Sequence, residues 1–90
     1  MISMFYVYII YSQKIDRFYV GYTTNIEIRI HQYHNLGRSN YTSKGIPWEL
    51  KHFEAFESEI EAMRREKQIK KLKSRKYIHS LIEQSRPQSG

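Results

Sequence analysis

The chain has 90 residues, with fifteen Lys and Arg against nine Asp and Glu, and no cysteine. This length suits one small domain, and the lack of cysteine excludes disulfides and thiolate metal sites. The longest apolar run, residues 4–11, is shorter than the roughly 20 residues of a membrane span and lacks the basic flank of a signal peptide. We therefore expect a cytoplasmic protein with no membrane association.

The first two predicted elements are strands joined by a hairpin. Residues 4–11 and 18–22 are rich in aromatic and β-branched side chains, which favour strands. The polar residues 12–17 between them are predicted to form the hairpin loop.

A helix over about residues 25–35 is predicted after the hairpin. Thr24, with Glu27 three residues later, has the capping-box pattern that begins a helix. Gly37 is expected to end the helix, and the Gly, Ser, Asn and Pro residues of 37–47 predict a loop.

The second half of the chain predicts one more strand and two helices. Residues 48–56 alternate weakly in polarity and are interpreted as a third strand. Ser58, with an acid three residues later, predicts a helix that runs to about Leu72. Ser74 is expected to cap a last helix that ends at about Glu83.

The predicted order ββαβαα gives an α+β fold, a three-stranded antiparallel sheet flanked by helices. We expect one domain over residues 1–84. The polar residues 85–90 contain Pro and Gly and are expected to form a disordered tail.

The register of the hairpin decides which tyrosines meet, because side chains alternate faces along a strand. If Ile10 pairs with Tyr19, then Tyr8 lies opposite Gly21, and two hydroxyls and a gap share one surface. A glycine in a strand often marks the close approach of a ligand or another backbone. The alternative is that the tyrosines only fill half-buried strand positions.

Arg29 is predicted to lie at the edge of the buried face of the first helix. Ile26, Ile30 and Tyr33 share that face at α-helical spacing, and Arg29 lies about 40° from Tyr33 at 100° per residue. The guanidinium fork suits phosphate. The alternative is an ordinary solvated arginine.

Glu66 falls within the apolar arc of the second long helix, beside Ala62 and Ile69. A desolvated carboxylate costs several kcal/mol unless it is paired or binds a metal ion. Two interpretations stay open: an ion pair with Arg29 or Lys70, or a ligand for Mg²⁺, which prefers carboxylate oxygen.

Basic residues are concentrated near the end of the chain, where eight of the fifteen lie between positions 64 and 76. Such a cluster indicates a polyanionic partner, with nucleic acid first and anionic membrane second. The alternative is a solvated helix face. The residues predicted to contact nucleic acid are Arg64, Arg65, Lys67, Lys70, Lys71 and Lys73.

Taken in order, several of these features resemble the signature of the GIY-YIG endonucleases. They are "YVY" at 6–8, "YVG" at 19–21, Arg29 and Glu66. The loop "HNLGRSNYTSKG" at 34–45 and the helix sequence "RREKQIKKL" look most like the small stand-alone bacterial members of that superfamily, a single-domain group that is largely uncharacterised.

The resemblance implies phosphodiester hydrolysis with one divalent metal ion, Mg²⁺ or Mn²⁺. Tyr8 and Tyr19 would line the site, and one of them would orient or deprotonate the attacking water. Arg29 would bind the scissile phosphate, and Glu66 would bind the metal ion. The arginine and the metal ion would lower the pKa of the phenol. Tyr33, four residues after Arg29, matches a position where the family often has histidine or tyrosine.

Three further residues are expected to line the site, namely Gly21, His34 and Tyr41. The chain departs from the signature where Tyr6 replaces its first glycine, and no asparagine follows Glu66 as in many catalytic relatives. Relatives usually carry an attached DNA-binding module, which these 90 residues lack. A homodimer or a protein partner is therefore expected to supply specificity.

The leading hypothesis is a Mg²⁺-dependent endonuclease acting on structured or damaged DNA, in repair or recombination. The alternative is a non-catalytic nucleic-acid-binding module on the same scaffold. A third reading is a domain whose basic helix binds an acidic protein.

Overall fold

The computed structural model describes residues 4–38 and 41–85. Its strands and helices follow one another as ββαβαα, which confirms the predicted α+β fold. Of the predicted tail, residues 85–90, only Ser85 lies within the described part, where it ends the last helix. No helix among the described residues is long and apolar enough to cross a membrane.

The sheet has three antiparallel strands with the first in the middle. Strand β1 (Phe5–Ser12) pairs with β2 (Arg17–Thr23) on one side and with β3 (Trp48–Phe56) on the other. Residues 7–10 of β1 are all buried because both faces of this central strand are covered.

Helices cover both faces of the sheet. Helix α1 (Ile26–Ile28) continues directly into a π-helix (Arg29–His34), and a 3₁₀ turn (Ser43–Gly45) precedes β3. Helices α2 (Glu59–Leu72) and α3 (Arg75–Ser85) complete the fold.

Alternation along β1 divides the interior into two clusters. Val7 and Ile9 point toward α2 and α3, whereas Tyr8 and Ile10 point toward the π-helix. The other buried members are Val20, Ala62, Ile69 and Leu81 in the first cluster, and Ile30 and Trp48 in the second.

Two of the three predicted helix caps are confirmed. The hydroxyls of Ser58 and Ser74 accept backbone N–H groups three residues later, at 3.4 and 3.0 Å. The prediction of Thr24 is wrong by one residue, because Asn25 Oδ1 accepts the N–H of Ile28 at 3.1 Å. Asparagine is the stronger N-cap of the two residue types.

A polar network on the α2–α3 face ties β3 to both helices. Glu54 accepts from Arg65 Nε at 2.8 Å and from its terminal nitrogen at 3.0 Å. His52 Nε2 lies 2.8 Å from Glu54 Oε2, and its Nδ1 is hydrogen-bonded to the hydroxyl of Ser85. Burial raises the pKa of Glu54, but the hydrogen bonds from Arg65 and His52 outweigh burial and lower it. The network therefore holds a charged carboxylate between β3 and α2.

Candidate active site

The hairpin has the predicted register, with Tyr8 opposite Gly21 and Ile10 opposite Tyr19. The Tyr8 ring fills the space beside the glycine: a Cβ at position 21 would lie 2.6 Å from the Tyr8 hydroxyl oxygen and 2.8 Å from its Cζ. The Tyr8 and Tyr19 ring centroids are 6.4 Å apart. Gly21 thus allows the two tyrosines to lie side by side.

We expect Gly21→Ala to lower the free energy of unfolding by about 1–3 kcal/mol, the usual cost of overpacking. The reason is the contact of the new Cβ with Tyr8, so the cost should disappear in a Tyr8→Ala background. Chemical denaturation of the four proteins measures both values. An equal cost in the two backgrounds would show that Tyr8 is not the obstacle.

The π-helix decides which residue meets Tyr8. Its N–H groups bond five residues back, as Asn35 N does to Ile30 O at 2.9 Å. The predicted α-helical spacing put Tyr33 on the buried face, but the wider turn leaves Tyr33 39% exposed and buries His34 completely. His34 Nε2 lies 2.8 Å from the Tyr8 hydroxyl.

The loop before β3 holds His34 from its other side. His34 Nδ1 lies 2.9 Å from Thr42 Oγ1, and the Thr42 carbonyl accepts the indole N–H of Trp48 at 2.7 Å. The Asn35 side chain accepts from Trp48 N at 2.6 Å and donates to its carbonyl at 3.0 Å. Thr42 and Asn35 were not predicted as site residues, because their roles depend on contacts with His34 and Trp48 that only the folded loop brings about.

Burial determines the protonation states of this pair. Burial and the nearby Arg29 charge lower the pKa of His34 from its ordinary 6.5 to about 4, so the imidazole is neutral at neutral pH. Burial also raises the pKa of Tyr8 well above its ordinary value. Arg29 acts in the expected direction and lowers the Tyr8 pKa, but burial outweighs it. Tyr8 is therefore a neutral phenol.

The low pKa of His34 makes stability depend on pH. Between about pH 6.5 and 4 the unfolded chain binds a proton that the native imidazole does not, so stability falls as pH falls through this window. The loss should reach about 3 kcal/mol at pH 4.

Denaturation of the wild type and of His34→Gln across this window measures that contribution. Carboxylates that titrate near pH 4 affect both proteins alike and cancel in the difference. The stability advantage of the wild type should shrink as pH falls, and a constant difference would contradict the assignment.

Arg29 lies among these aromatic groups. Its Cζ is 4.7 Å from the centroid of Tyr33, a cation–π contact that orients the guanidinium. Its charge contributes to the low pKa of His34 and acts against the rise that burial causes in the pKa values of Tyr8 and Tyr19. Within residues 4–38 and 41–85 no carboxylate forms an ion pair with Arg29. The guanidinium is therefore available to an anion.

Glu66 approaches the same tyrosines from α2. Its side chain is 16% exposed, and its charge raises the pKa values of Tyr8, Tyr19 and Tyr22. Of the two predicted ion pairs, the one with Lys70 is present, with Nζ 3.5 Å from Oε2. The lysine of this i,i+4 pair is half exposed, and such pairs on helix surfaces contribute about 0.3–0.5 kcal/mol. A divalent cation could therefore displace Lys70.

The ligand chemistry near Glu66 fits one class of metal ion. In the part of the chain that the structure describes, no group of three or more His, Cys, Asp and Glu side chains could hold a metal ion. Mg²⁺ needs no such cage, because it keeps several waters and is bound by one or two carboxylates together with substrate phosphate. Glu66 is the residue that could hold it.

Tyr19 connects the buried pair to the surface. Its ring centroid lies 5.0 Å from that of His34 and 5.7 Å from that of Tyr41, which is 84% exposed. Lys70 Nζ lies 5.8 Å from the Tyr19 centroid. The site therefore opens to solvent beside Tyr41 and α2.

The predicted nucleic-acid contacts fall into two groups. Arg65 is ion-paired with Glu54 and also donates to the Tyr77 hydroxyl at 2.9 Å, so its guanidinium stabilises the fold. The others are exposed on or just after α2, and these are Arg64, Lys67, Lys70, Lys71 and Lys73.

Comparisons with known proteins identify the family of the chain. Residues 4–78 match the GIY-YIG catalytic domain. A UPF0213 protein of Halobacterium salinarum is 43% identical over 70 residues, 77% of this chain and 88% of that protein. A UPF0213 protein of Staphylococcus haemolyticus is 48% identical over 66 residues, 72% of this chain and 78% of that protein.

A third UPF0213 protein, from Bacillus licheniformis, is 40% identical over 82 residues, 90% of this chain and 81% of that protein. No solved structure matches the chain. The relatives include archaeal as well as bacterial proteins, so the predicted bacterial group is wider than expected. The chain belongs to the GIY-YIG family.

Proposed function

We propose that this protein is a Mg²⁺-dependent endonuclease of the cytoplasm that cleaves structured or damaged DNA in repair or recombination. The GIY-YIG family is of the nuclease type, which implies a nucleic-acid substrate. One arrangement carries the finer proposal. The paired phenols of Tyr8 and Tyr19 lie beside Lys70, which is the ion-pair partner of Glu66. The charges of Arg29 and Glu66 both act on these phenols. A cation, an anionic phosphate and a water-activating group could meet there.

Arg29 is suited to bind the scissile phosphate. It is half-buried, oriented by Tyr33 and without an ion-pair partner among the described residues. Two N–H groups of the fork can bond two phosphate oxygens and stabilise the charge that develops as water attacks.

The Tyr8–His34 pair can move the proton of that water. With its own proton on Nδ1, donated to Thr42 Oγ1, His34 accepts the Tyr8 O–H at Nε2. Because Tyr8 is only 1% exposed, substrate binding must first admit the attacking water to its hydroxyl. The proton of that water would then pass to the Tyr8 oxygen while the Tyr8 proton passes to His34. The phosphate charge nearby favours the resulting imidazolium. Tyr19 is the more exposed phenol and is the second candidate for this role.

Glu66 would hold Mg²⁺ or Mn²⁺, which when bound stabilises the leaving oxygen as a Lewis acid. The exposed cations of α2 would add sequence-independent affinity through phosphate contacts and counterion release. Specificity is expected from a homodimer or a protein partner.

Cleavage of branched, nicked and flapped DNA, with Mg²⁺ or Mn²⁺ and with EDTA, tests the proposal. The double variant Tyr8→Phe/Tyr19→Phe controls for contaminating nucleases. We expect metal-dependent cleavage of at least one substrate by the wild type alone. Equal background in both proteins would overturn the enzymatic function.

One observation favours the alternative of a non-catalytic nucleic-acid-binding module. Lys70 is ion-paired with Glu66, the carboxylate that a metal ion would need as its ligand. Under that alternative, DNA binding falls in Lys70→Ala/Lys71→Ala while metal ions produce no cleavage. Lack of any nucleic-acid binding at low salt would instead favour an acidic protein partner.

A further inference from the structure

A cleft lies beside Tyr19, between β2 and the junction of α2 and α3. Buried apolar residues such as Val20 and Ile69 form its floor. Four cations and three aromatic residues line it, and we refer to it as the basic cleft. The cations are Arg17, Lys70, Lys73 and Arg75, and the aromatic residues are Phe18, Tyr19 and Tyr41.

Tyr41 presents an aromatic ring at the mouth of the basic cleft. Its ring contacts Tyr19 at a centroid distance of 5.7 Å, yet the residue is 84% exposed. A tyrosine this exposed contributes little to the core. A ring held next to cations is instead typical of surfaces on which nucleic-acid bases stack.

Two of the four cations of the basic cleft form ion pairs with acidic side chains. Lys70 and Arg75 are paired with acidic side chains at 3.5 and 2.5 Å. Arg17 and Lys73 are exposed and form no ion pair within the described ranges. Their charges are therefore available to phosphate groups.

We propose that the basic cleft binds an unpaired strand of nucleic acid that leads away from the scissile phosphate. Tyr41 stacks on one base, and Arg17 and Lys73 contact backbone phosphates. The proposal rests on the proposed nuclease function for the position of the scissile phosphate. It narrows the substrate to nucleic acid with a single-stranded segment, such as a flap or a splayed end.

The aromatic ring favours an unpaired strand over a duplex. Bases in a duplex are stacked on their neighbours and offer no free face to a side chain, whereas unpaired bases stack readily on tyrosine. Cations alone would serve both substrates equally, because they read only phosphate.

Fluorescence anisotropy in EDTA, with labelled oligothymidylate of about 12 nucleotides and a hairpin duplex of equal length, tests this inference. We expect Tyr41→Ala to weaken single-strand binding about 10-fold and Tyr41→Phe to change it less than about twofold. Duplex binding should be unaffected by either. Losses that are equal for the two probes, or absent from both, would overturn the proposal.

A second pair of variants tests the phosphate contacts. Lys73→Asn and Lys14→Asn remove the same charge, but only Lys73 lines the basic cleft, whereas Lys14 is exposed in the hairpin loop. The salt dependence of single-strand binding should fall by about 0.7 in log–log slope for Lys73→Asn, and by clearly less for Lys14→Asn. Equal changes would contradict the assignment. An oligouridylate distinguishes RNA from DNA, and Tyr41-dependent binding of either polymer supports the proposal.

Because these assays contain no metal ion, their outcome is separate from that of the cleavage test. If the protein cleaves DNA but Tyr41→Ala does not weaken single-strand binding, the proposal for the basic cleft is wrong and the nuclease function is supported. If the protein does not cleave DNA but Tyr41→Ala weakens single-strand binding, the nuclease function is wrong and the proposal for the basic cleft is supported.

Discussion

Glu66→Gln is expected to reduce metal-dependent cleavage by at least about 100-fold while the fold is retained. The substitution keeps the size of the side chain but removes the carboxylate proposed to bind the metal ion. Loss of about 3 kcal/mol of transition-state stabilisation corresponds to this factor. Single-turnover cleavage measures the rate, and circular dichroism checks the fold.

Glu61→Gln is the matched control for this prediction. It removes the same charge from the same helix, but its side chain is exposed and lies in the first turn of α2. Its cleavage rate should stay within about twofold of the wild type, in line with the small effect of surface charges. Similar losses in both variants would indicate an effect of overall charge and not of a metal ligand.

Arg29→Lys is expected to lower the cleavage rate by about 10²–10³-fold with little change in DNA affinity. Lysine keeps the positive charge but cannot bond two phosphate oxygens at once or stack flat on Tyr33. The magnitude is that of removing one donor to a developing oxyanion.

Arg64→Lys makes the same change at an exposed position of α2. It should leave the rate within about twofold, since a phosphate contact outside the reacting centre needs only charge. A large loss at position 64, or none at position 29, would show that the guanidinium of Arg29 does not act on the reacting phosphate.

The strands and their register could be predicted because they depend on local patterns. Aromatic and β-branched runs are typical of strands, and the predicted third strand has the observed bounds, Trp48–Phe56. The pairing of Tyr8 with Gly21 was predicted from the length of the hairpin loop, and the structure has this register, with the Tyr8 ring packed against Gly21.

The π-helix could not be predicted, because no local pattern distinguishes it from an α-helix. The wider turn is accompanied by two tertiary hydrogen bonds of His34, one to Tyr8 on the central strand and one to Thr42 in a later loop. α-Helical spacing therefore placed Tyr33 on the buried face, and the resemblance named Tyr33 as catalytic and His34 only as a residue lining the site. π-Helical turns are frequent at functional sites, which supports the role proposed for His34.

The number of basic residues in a segment does not show which of them stabilise the fold and which can bind a ligand. Arg65 has the same sequence environment as Arg64, yet it is bound to Glu54 on β3, eleven positions away. Only the fold brings that acid near. The prediction that Arg65 contacts nucleic acid thus requires it to leave two hydrogen bonds to a carboxylate.

Paramagnetic broadening by Mn²⁺, followed by NMR, tests most directly whether Glu66 binds a metal ion beside Tyr8 and Tyr19. We expect substoichiometric Mn²⁺ to broaden the signals of Glu66, Tyr8 and Tyr19 in the wild type, and Glu66→Gln to abolish this effect. Broadening centred on another part of the chain, or unchanged in Glu66→Gln, would contradict it.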